Sequence, residues 1–147
     1  MTHKKSEHVD SIEEYLRKVD YIIRRKGRVI LSDFNITVPQ FTALQILINN
    51  GEMTISELSQ NMDLACSTIT DLIDRMEKTN LVRRKKDDQD KRVVRVEVLQ
   101  EGHDILARVL EKRIEFLDDK LRGVTEEDKQ TLSTALKNLY MGMKEEV

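Results

Sequence analysis

The sequence predicts a mostly α-helical protein with one small β-hairpin: a winged helix-turn-helix domain flanked by long helices. Apolar residues recur at helical spacing along most of the 147 residues, and one proline and five glycines leave few helix breakers. After residue 80 the pattern changes to the two-residue period of strands. A chain of this length with 39% apolar residues is sufficient for one folded domain with its own core.

The first two helices are predicted from apolar periodicity and capping residues. The first runs from Ser11 to about Leu31, and its stripe consists of Ile12, Leu16, Val19, Ile23 and Ile30. The second begins at a capping box with a proline in its first turn, Thr37-Val38-Pro39-Gln40, and ends at Gly51, which favours a left-handed backbone. Its inner face carries Phe41, Leu44, Leu47 and Ile48.

A helix-turn-helix unit follows. A second capping box, Thr54-Ile55-Ser56-Glu57, predicts a short helix that ends near Met62. Three residues connect it to a helix over residues 66–79, and Asn80 is suited to the left-handed position that ends this helix. The buried face of this second helix is predicted to be Ile69, Leu72, Ile73 and Met76.

A β-hairpin and two further helices complete the chain. Residues 81–85 and 93–99 alternate and are rich in β-branched side chains, and they flank the polar segment 86–92, so they predict an antiparallel hairpin with a charged tip. Two more amphipathic helices follow, one ended by Gly123 and one beginning at Thr125. We predict a single domain over residues 1–147, with a winged core at about 37–99 and dimerisation helices at about 8–33 and 100–146.

The charge distribution indicates a partner that the net charge of −2 does not suggest. Residues 81–95 contain seven basic and three acidic side chains, and residues 17–28 contain six basic side chains and one acidic. Attraction to phosphate depends on the nearby field, so an acidic protein with such segments can bind a polyanion locally. The alternative is that these runs are merely solvated faces.

Helix and hairpin together predict binding to double-stranded DNA. A helix about 10–12 Å across fits the major groove, and a cationic hairpin tip beside it can reach the adjacent minor groove. Asp90 lies two residues before Arg92, close enough to hold its guanidinium in one orientation. The predicted DNA-binding residues are Ser67, Thr68, Thr70, Arg75, Arg84, Lys86, Asp90, Lys91 and Arg92. The competing class is a winged-helix protein-interaction module that does not bind DNA.

The terminal helices predict a homodimer. Their stripes are more apolar than one small core requires, and they come from opposite ends of the chain. A two-fold dimer would present two recognition helices about one turn of DNA apart, ~34 Å, to a pseudo-palindromic site. The alternative is that these helices pack on their own winged core.

The segments 58–77, 81–84 and 87–96, which read LSQNMDLACSTITDLIDRME, LVRR and DDQDKRVVRV, resemble the MarR family of bacterial regulators. The resemblance implies a homodimeric transcription factor, usually a repressor, whose DNA binding is relieved by a small-molecule effector or by thiol oxidation. It implies that Arg92 enters the minor groove, braced by Asp90. It also implies an effector pocket near the first two helices, where Tyr15, Tyr21 and Phe41 lie, although core packing explains these aromatic residues more simply.

Other function classes are not expected. The single cysteine, Cys66, excludes an internal disulfide framework and fits a reducing, cytoplasmic location. At a helix N-terminus its thiol is either an oxidation sensor, which would make the protein a thiol-responsive regulator, or a small residue in the cap region. Three histidines without ligand spacing predict no metal, and neither a cofactor nor an enzyme is expected. No apolar run approaches the ~20 residues of a membrane span.

Overall fold

The computed structural model describes residues 3–146, which form six α-helices, three strands and a terminal 3-10 turn. The elements are α1 (Glu7–Asp33), α2 (Val38–Asn50), β1 (Met53–Thr54), α3 (Ile55–Met62), α4 (Cys66–Lys78), β2 (Val82–Lys86), β3 (Val94–Val98), α5 (Gln100–Lys120), α6 (Glu126–Met143) and the turn Lys144–Glu146. The predicted fold class is confirmed. Two compact units are distinguished, with the division inside α5 between Glu111 and Lys112. The assignment of residues 1–147 to a single domain stays a prediction.

Side-chain caps fix the helix starts that the sequence predicted. At α2 the Thr37 hydroxyl accepts from the Gln40 N–H at 3.3 Å and the Gln40 side chain accepts from the Thr37 N–H at 3.1 Å, a complete capping box. At α3 the Thr54 hydroxyl accepts from the Glu57 N–H at 3.1 Å, but the Glu57 carboxylate binds that same hydroxyl at 3.2 Å. Of the two bonds of the predicted second capping box, only the one from the Glu57 N–H to the Thr54 hydroxyl is therefore formed.

Left-handed residues make the turns tight. Asp63, with φ 54°, ends α3, and the Leu64 N–H donates back to the Ser59 carbonyl at 3.2 Å. The connection between α3 and α4 thus has the three residues predicted for it. Asn80 has φ 61° where α4 gives way to β2, which confirms its predicted role.

The sheet has three antiparallel strands in the order β1-β3-β2. The antiparallel hairpin of β2 and β3 is formed as the sequence predicted, and its register pairs Val82 with Val98 and Lys86 with Val94. The additional strand, β1, pairs Met53 with Val96 and corrects the expectation of a two-stranded hairpin. A strand of two residues has no alternation to detect, which is why periodicity missed it. We call β2, β3 and the loop 87–93 between them the wing.

The core of the first unit fixes the orientation of α4. Its fully buried large side chains come from α2, α3, α4, the sheet and the first half of α5: Leu44, Leu58, Ile69, Ile73, Met76, Val82, Val96 and Val109. Three of these lie on one face of α4, so the opposite face of that helix must point outward. Leu72 packs at the margin of this core. The predicted buried face of α4 is confirmed.

The stripes of the terminal helices remain largely uncovered in the single chain. On α1, Ile30 and Leu31 are buried, whereas Ile12, Leu16 and Val19 are 40–52% exposed. On α6, in the second unit, Leu132, Leu136 and Leu139 are 38–48% exposed. On α1, packing on the core of the first unit therefore does not account for Ile12, Leu16 and Val19. Along residues 3–146, no helix has the length and apolarity to cross a membrane.

Gly102, in the first turn of α5, provides a test of this packing. A Cβ at this position would lie 2.5 Å from the Leu81 carbonyl oxygen and 2.7 Å from Val98 Cγ1. That carbonyl accepts from the Leu99 N–H at 2.9 Å, so it cannot move without losing a hydrogen bond. We predict that Gly102→Ala lowers the free energy of unfolding by about 1–3 kcal/mol, measured by denaturant titration.

The matched control for this substitution is Gly27→Ala. Gly27 lies inside α1, and a Cβ there meets no atom within 4 Å. Alanine is the better helix former, so we expect unchanged or slightly higher stability, by up to about 1 kcal/mol. Equal stability of Gly102→Ala and the unmodified protein would contradict the close packing described for α5.

Candidate nucleic-acid interface

The outward face of α4 carries the polar residues predicted to meet DNA. Ser67, Thr68 and Arg75 are exposed, and Thr70 is half-buried on the flank of the same helix. The 13 residues of α4 lie in a rigid setting, because one face of the helix is held in the core. The helix therefore presents these four side chains together, as the sequence predicted, and their contacts with DNA stay a prediction.

The N-terminus of α4 is formed by Ala65 and Cys66. Ala65 supplies no side-chain hydrogen bond to the first turn, so no capping group competes with an anion for its N–H groups. Cys66 is the first residue of the helix and is a free, exposed cysteine. Its predicted redox role stays a prediction.

The tip of the wing is an ordered turn organised by Asp87. Its N–H donates to the Val93 carbonyl at 2.8 Å, and its carboxylate accepts from the N–H groups of Asp90 and Gln89 at 3.0 and 3.1 Å. The Asp90 N–H contributes most to lowering the pKa of Asp87 below its ordinary value, with help from Gln89 and Arg95 against partial desolvation. Sequence analysis did not single out Asp87, although an aspartate that opens a polar loop is a known turn signal.

Arg92 projects from this turn and is held by Asp90. Its Nε lies 3.0 Å from Asp90 Oδ1 and its Nη2 lies 3.1 Å from Oδ2, and its N–H donates to Oδ1 at 3.1 Å. The predicted brace is thus confirmed as a contact. These hydrogen bonds lower the pKa of Asp90 and raise that of Arg92, so both groups stay charged through neutral pH. The Arg92 side chain is nevertheless 90% exposed, which leaves its far side open to a ligand.

Arg84, which the sequence predicted as a DNA contact, is paired with two carboxylates of α4. Its Nη2 lies 2.8 Å from Asp74 Oδ1, its Nη1 contacts Glu77 Oε1, and its backbone N–H donates to Glu77 Oε2 at 3.0 Å. The side chain is 28% exposed. Burial opposes the charged form, but the hydrogen bonds to Asp74 and Glu77 outweigh it and raise the pKa of Arg84. We call these three residues the Arg84 cluster; it ties β2 to α4.

Arg95 ties the wing to α3. Its Nε lies 3.4 Å from Asp87 Oδ1 and its Nη1 lies 3.6 Å from Glu57 Oε1. Sequence analysis missed Asp74, Glu77 and Glu57 as partners of wing arginines, because these pairs join elements distant along the chain and no spacing rule detects them. Arg75, Lys86 and Lys91 differ, since none of them forms an ion pair with another residue of the range 3–146.

The aromatic residues assigned to an effector pocket are not together in one environment. Phe41 is buried in the core, as the simpler explanation expected. Tyr15 and Tyr21 are exposed on α1, where Lys18 Nζ lies 5.6 Å from the centre of the Tyr15 ring and Arg25 donates to the Tyr21 hydroxyl at 3.4 Å. Their role in effector binding stays a prediction. In residues 3–146, no group of three or more His, Cys, Asp or Glu side chains is arranged to hold a metal ion.

Comparison with known proteins places this arrangement in one family. The model of the MarR family matches residues 36–94, from the end of the first inter-helix turn into β3. The chain is 50% identical over 144 residues to the uncharacterized HTH-type transcriptional regulator YsmB of Bacillus subtilis (strain 168), covering 98% of this chain and 99% of that one. It is 30% identical over 143 residues to the HTH-type transcriptional repressor IacR of Pseudomonas putida, covering 90% and 86% of the two chains.

A solved structure gives the same result. The structure of a MarR family protein from Bacillus stearothermophilus aligns with a TM-score of 0.86 and 39% identity, over 97% of this chain and 99% of that one. These similarities extend over the whole winged domain and its flanking helices, and they favour the DNA-binding class over the protein-interaction module. The chain belongs to the MarR family and is a DNA-binding transcriptional regulator of the helix-turn-helix type.

Proposed function

We propose that this regulator is a cytoplasmic repressor that binds a pseudo-palindromic operator as a homodimer, and that a small-molecule effector relieves the binding. The observation that carries the proposal is that the exposed Arg92 and the outward polar face of α4 belong to one compact unit. The IacR relative is named a transcriptional repressor, which supports repression rather than activation. Tyr15, Tyr21 and Phe41 remain the proposed effector residues.

Each subunit would read DNA with two elements. The polar face of α4, with Ser67, Thr68, Thr70 and Arg75, enters the major groove. Arg92 enters the neighbouring minor groove, where a flat cation is favoured over narrow A·T tracts. Lys86 and Lys91 on the same wing, which have no ion-pair partner among residues 3–146, can neutralise phosphates.

The homodimer is supported by the uncovered stripes of the terminal helices. Burying a leucine side chain contributes about 1.5–3 kcal/mol, so stripes on α1 and α6 are a large driving force for association. Soluble monomers rarely leave apolar faces of this extent in water. A second copy of the chain offers the same faces and can cover them with two-fold symmetry.

Arg92→Ala tests the wing contact. The probe is a duplex that the unmodified protein selects from random-sequence DNA, called here the selected duplex. We expect the Kd for it to rise at least fivefold, corresponding to about 1 kcal/mol or more for one lost groove contact. Stability should change by no more than about 0.5 kcal/mol, because the side chain is on the surface.

A matched control for this variant is Arg122→Ala. Arg122 is also an exposed arginine paired with a nearby aspartate, Asp119 at 3.3 Å, but it lies outside the wing. Its removal should leave the Kd for the selected duplex unchanged. If Arg92→Ala and Arg122→Ala bind this duplex equally well, the wing is not a DNA contact.

Asp90→Ala tests the brace separately from the arginine. Removing this carboxylate takes a negative charge away from DNA, which should strengthen binding to non-specific duplex. It also frees the Arg92 side chain, so that more conformational entropy is lost on entering the groove. We therefore expect the ratio of non-specific Kd to selected-duplex Kd to fall, measured by fluorescence anisotropy. An unchanged ratio would show that the Asp90 contact has no part in recognition.

Leu136→Glu tests the homodimer. A charge in the middle of the α6 stripe would be desolvated on association, so we expect the variant to sediment as a monomer and to bind the selected duplex at least tenfold more weakly. Thr134→Glu introduces the same charge away from the stripe and should leave the mass unchanged. A monomeric unmodified protein, or a dimeric Leu136→Glu, would contradict the proposed dimer interface.

A further inference from the structure

We propose that the Arg84 cluster sets the angle between the wing and α4, and that Arg84 acts on operator binding as a positioning residue without touching DNA. This inference rests on the proposed DNA contacts of α4 and Arg92. It replaces the DNA contact that the sequence predicted for Arg84 with a role through Asp74 and Glu77, two residues that sequence analysis assigned no role.

The cluster joins two elements at three points. One guanidinium nitrogen binds Asp74 at 2.8 Å, a second contacts Glu77, and the backbone N–H of Arg84 donates to the other Glu77 oxygen at 3.0 Å. Glu77 thus holds both the side chain and the main chain of the same strand residue. Two carboxylates on successive turns of one face of α4 and a planar guanidinium define a single relative orientation.

The position of Arg84 makes the angle matter. It is the central residue of β2, pairing with Val96 of β3, and the loop that carries Arg92 lies beyond it. Two strand residues, Lys85 and Lys86, separate Arg84 from the loop 87–93, which at about 3.3 Å per residue places the start of that loop roughly 7 Å away. A rotation of about 10° at Arg84 would therefore move the start of the loop by roughly 1 Å and the residues beyond it by more, enough to misplace a hydrogen bond whose donor–acceptor distance spans only about 2.7–3.2 Å.

The same geometry argues against a direct contact of Arg84 with DNA. Its guanidinium is occupied by two carboxylates and is 28% exposed, whereas Lys86 and Lys91 are exposed and, within residues 3–146, have no ion-pair partner. Transferring Arg84 to a phosphate would leave Asp74 and Glu77 unpaired beside the groove-facing side of α4, where two negative charges repel DNA. Wing cations without carboxylate partners can reach phosphate at no such cost.

The test compares Glu77→Gln, Arg84→Lys and Arg84→Ala on the selected duplex over a series of salt concentrations. If the cluster positions the wing, all three variants raise the Kd by about fivefold or more. Lysine keeps the charge but lacks the planar fork that holds two carboxylates in one orientation, and glutamine keeps the shape but loses the ion pair. The slope of log Kd against log salt stays unchanged, and hydroxyl-radical protection weakens in the minor groove contacted by the wing.

The double variant Glu77→Gln/Arg84→Ala binds the selected duplex with the same Kd as Arg84→Ala alone, because both changes remove the same interaction.

A direct phosphate contact gives the opposite pattern and would overturn the inference. Glu77→Gln would then tighten binding by removing a negative charge, Arg84→Lys would bind as well as the unmodified protein, and Arg84→Ala would reduce the salt slope by about one per subunit. Glu97→Gln is the matched control, since Glu97 pairs with Arg83 at 2.8 Å within the wing and does not reach α4. Thermal denaturation of each variant establishes that it is folded.

The two proposals can fail separately. If the unmodified protein selects a duplex and Arg92→Ala loses it, but Glu77→Gln binds it unchanged, the positioning role is wrong and the proposed function stands. If the unmodified protein selects no duplex, both are overturned.

Discussion

The burial of Ile69, Ile73 and Met76 on one face of α4 is the constraint on which the candidate interface depends. All three are fully inaccessible to solvent. Burial of each side chain contributes about 1.5–3 kcal/mol. Rotating the helix about its axis would expose all three, which costs more free energy than one new surface contact could supply. The polar side chains of α4 are therefore presented outward whether or not DNA is bound. The interface is preorganised by the core beneath it.

Carboxylates of the wing and α4 restrict the conformations of the neighbouring arginines and of the wing turn. The wing and α4 place Asp74, Glu77, Asp87 and Asp90 within hydrogen-bonding reach of arginine or backbone N–H groups. Each carboxylate reduces the local positive field, which weakens attraction to any phosphate. In exchange, the guanidinium or turn that it holds has fewer conformations to lose on binding. This balance favours specific recognition of a groove over non-specific binding to DNA. It is consistent with the overall charge of −2.

Local signals predicted most of the fold, and long-range contacts account for what was missed. The capping residues Thr37 and Thr54, the left-handed Asn80 and the alternation around Val94 each act within a few residues, so the chain itself displays them. The strand β1 and the pairs of Arg84 and Arg95 join segments that only the fold brings together. The sequence thus identified the exposed Arg92 with its neighbour Asp90, but it did not reveal the carboxylate partners of Arg84. Charge alone does not separate a half-buried guanidinium such as that of Arg84 from an exposed one such as that of Arg92.

The order β1-β3-β2 makes β2 an edge strand of the sheet. The unpaired backbone N–H groups of an edge strand can pair with a strand of another molecule. The carboxylate of Glu77 already occupies the N–H at the centre of this edge strand. Arg83, Lys85 and Lys86 lie on the same short strand, and although Glu97 and Glu52 pair with the first two, the charge of Lys86 has no such partner among residues 3–146, so two such strands from different molecules would repel each other. The wing is in this way protected against edge-to-edge aggregation, even though it stands out from the domain.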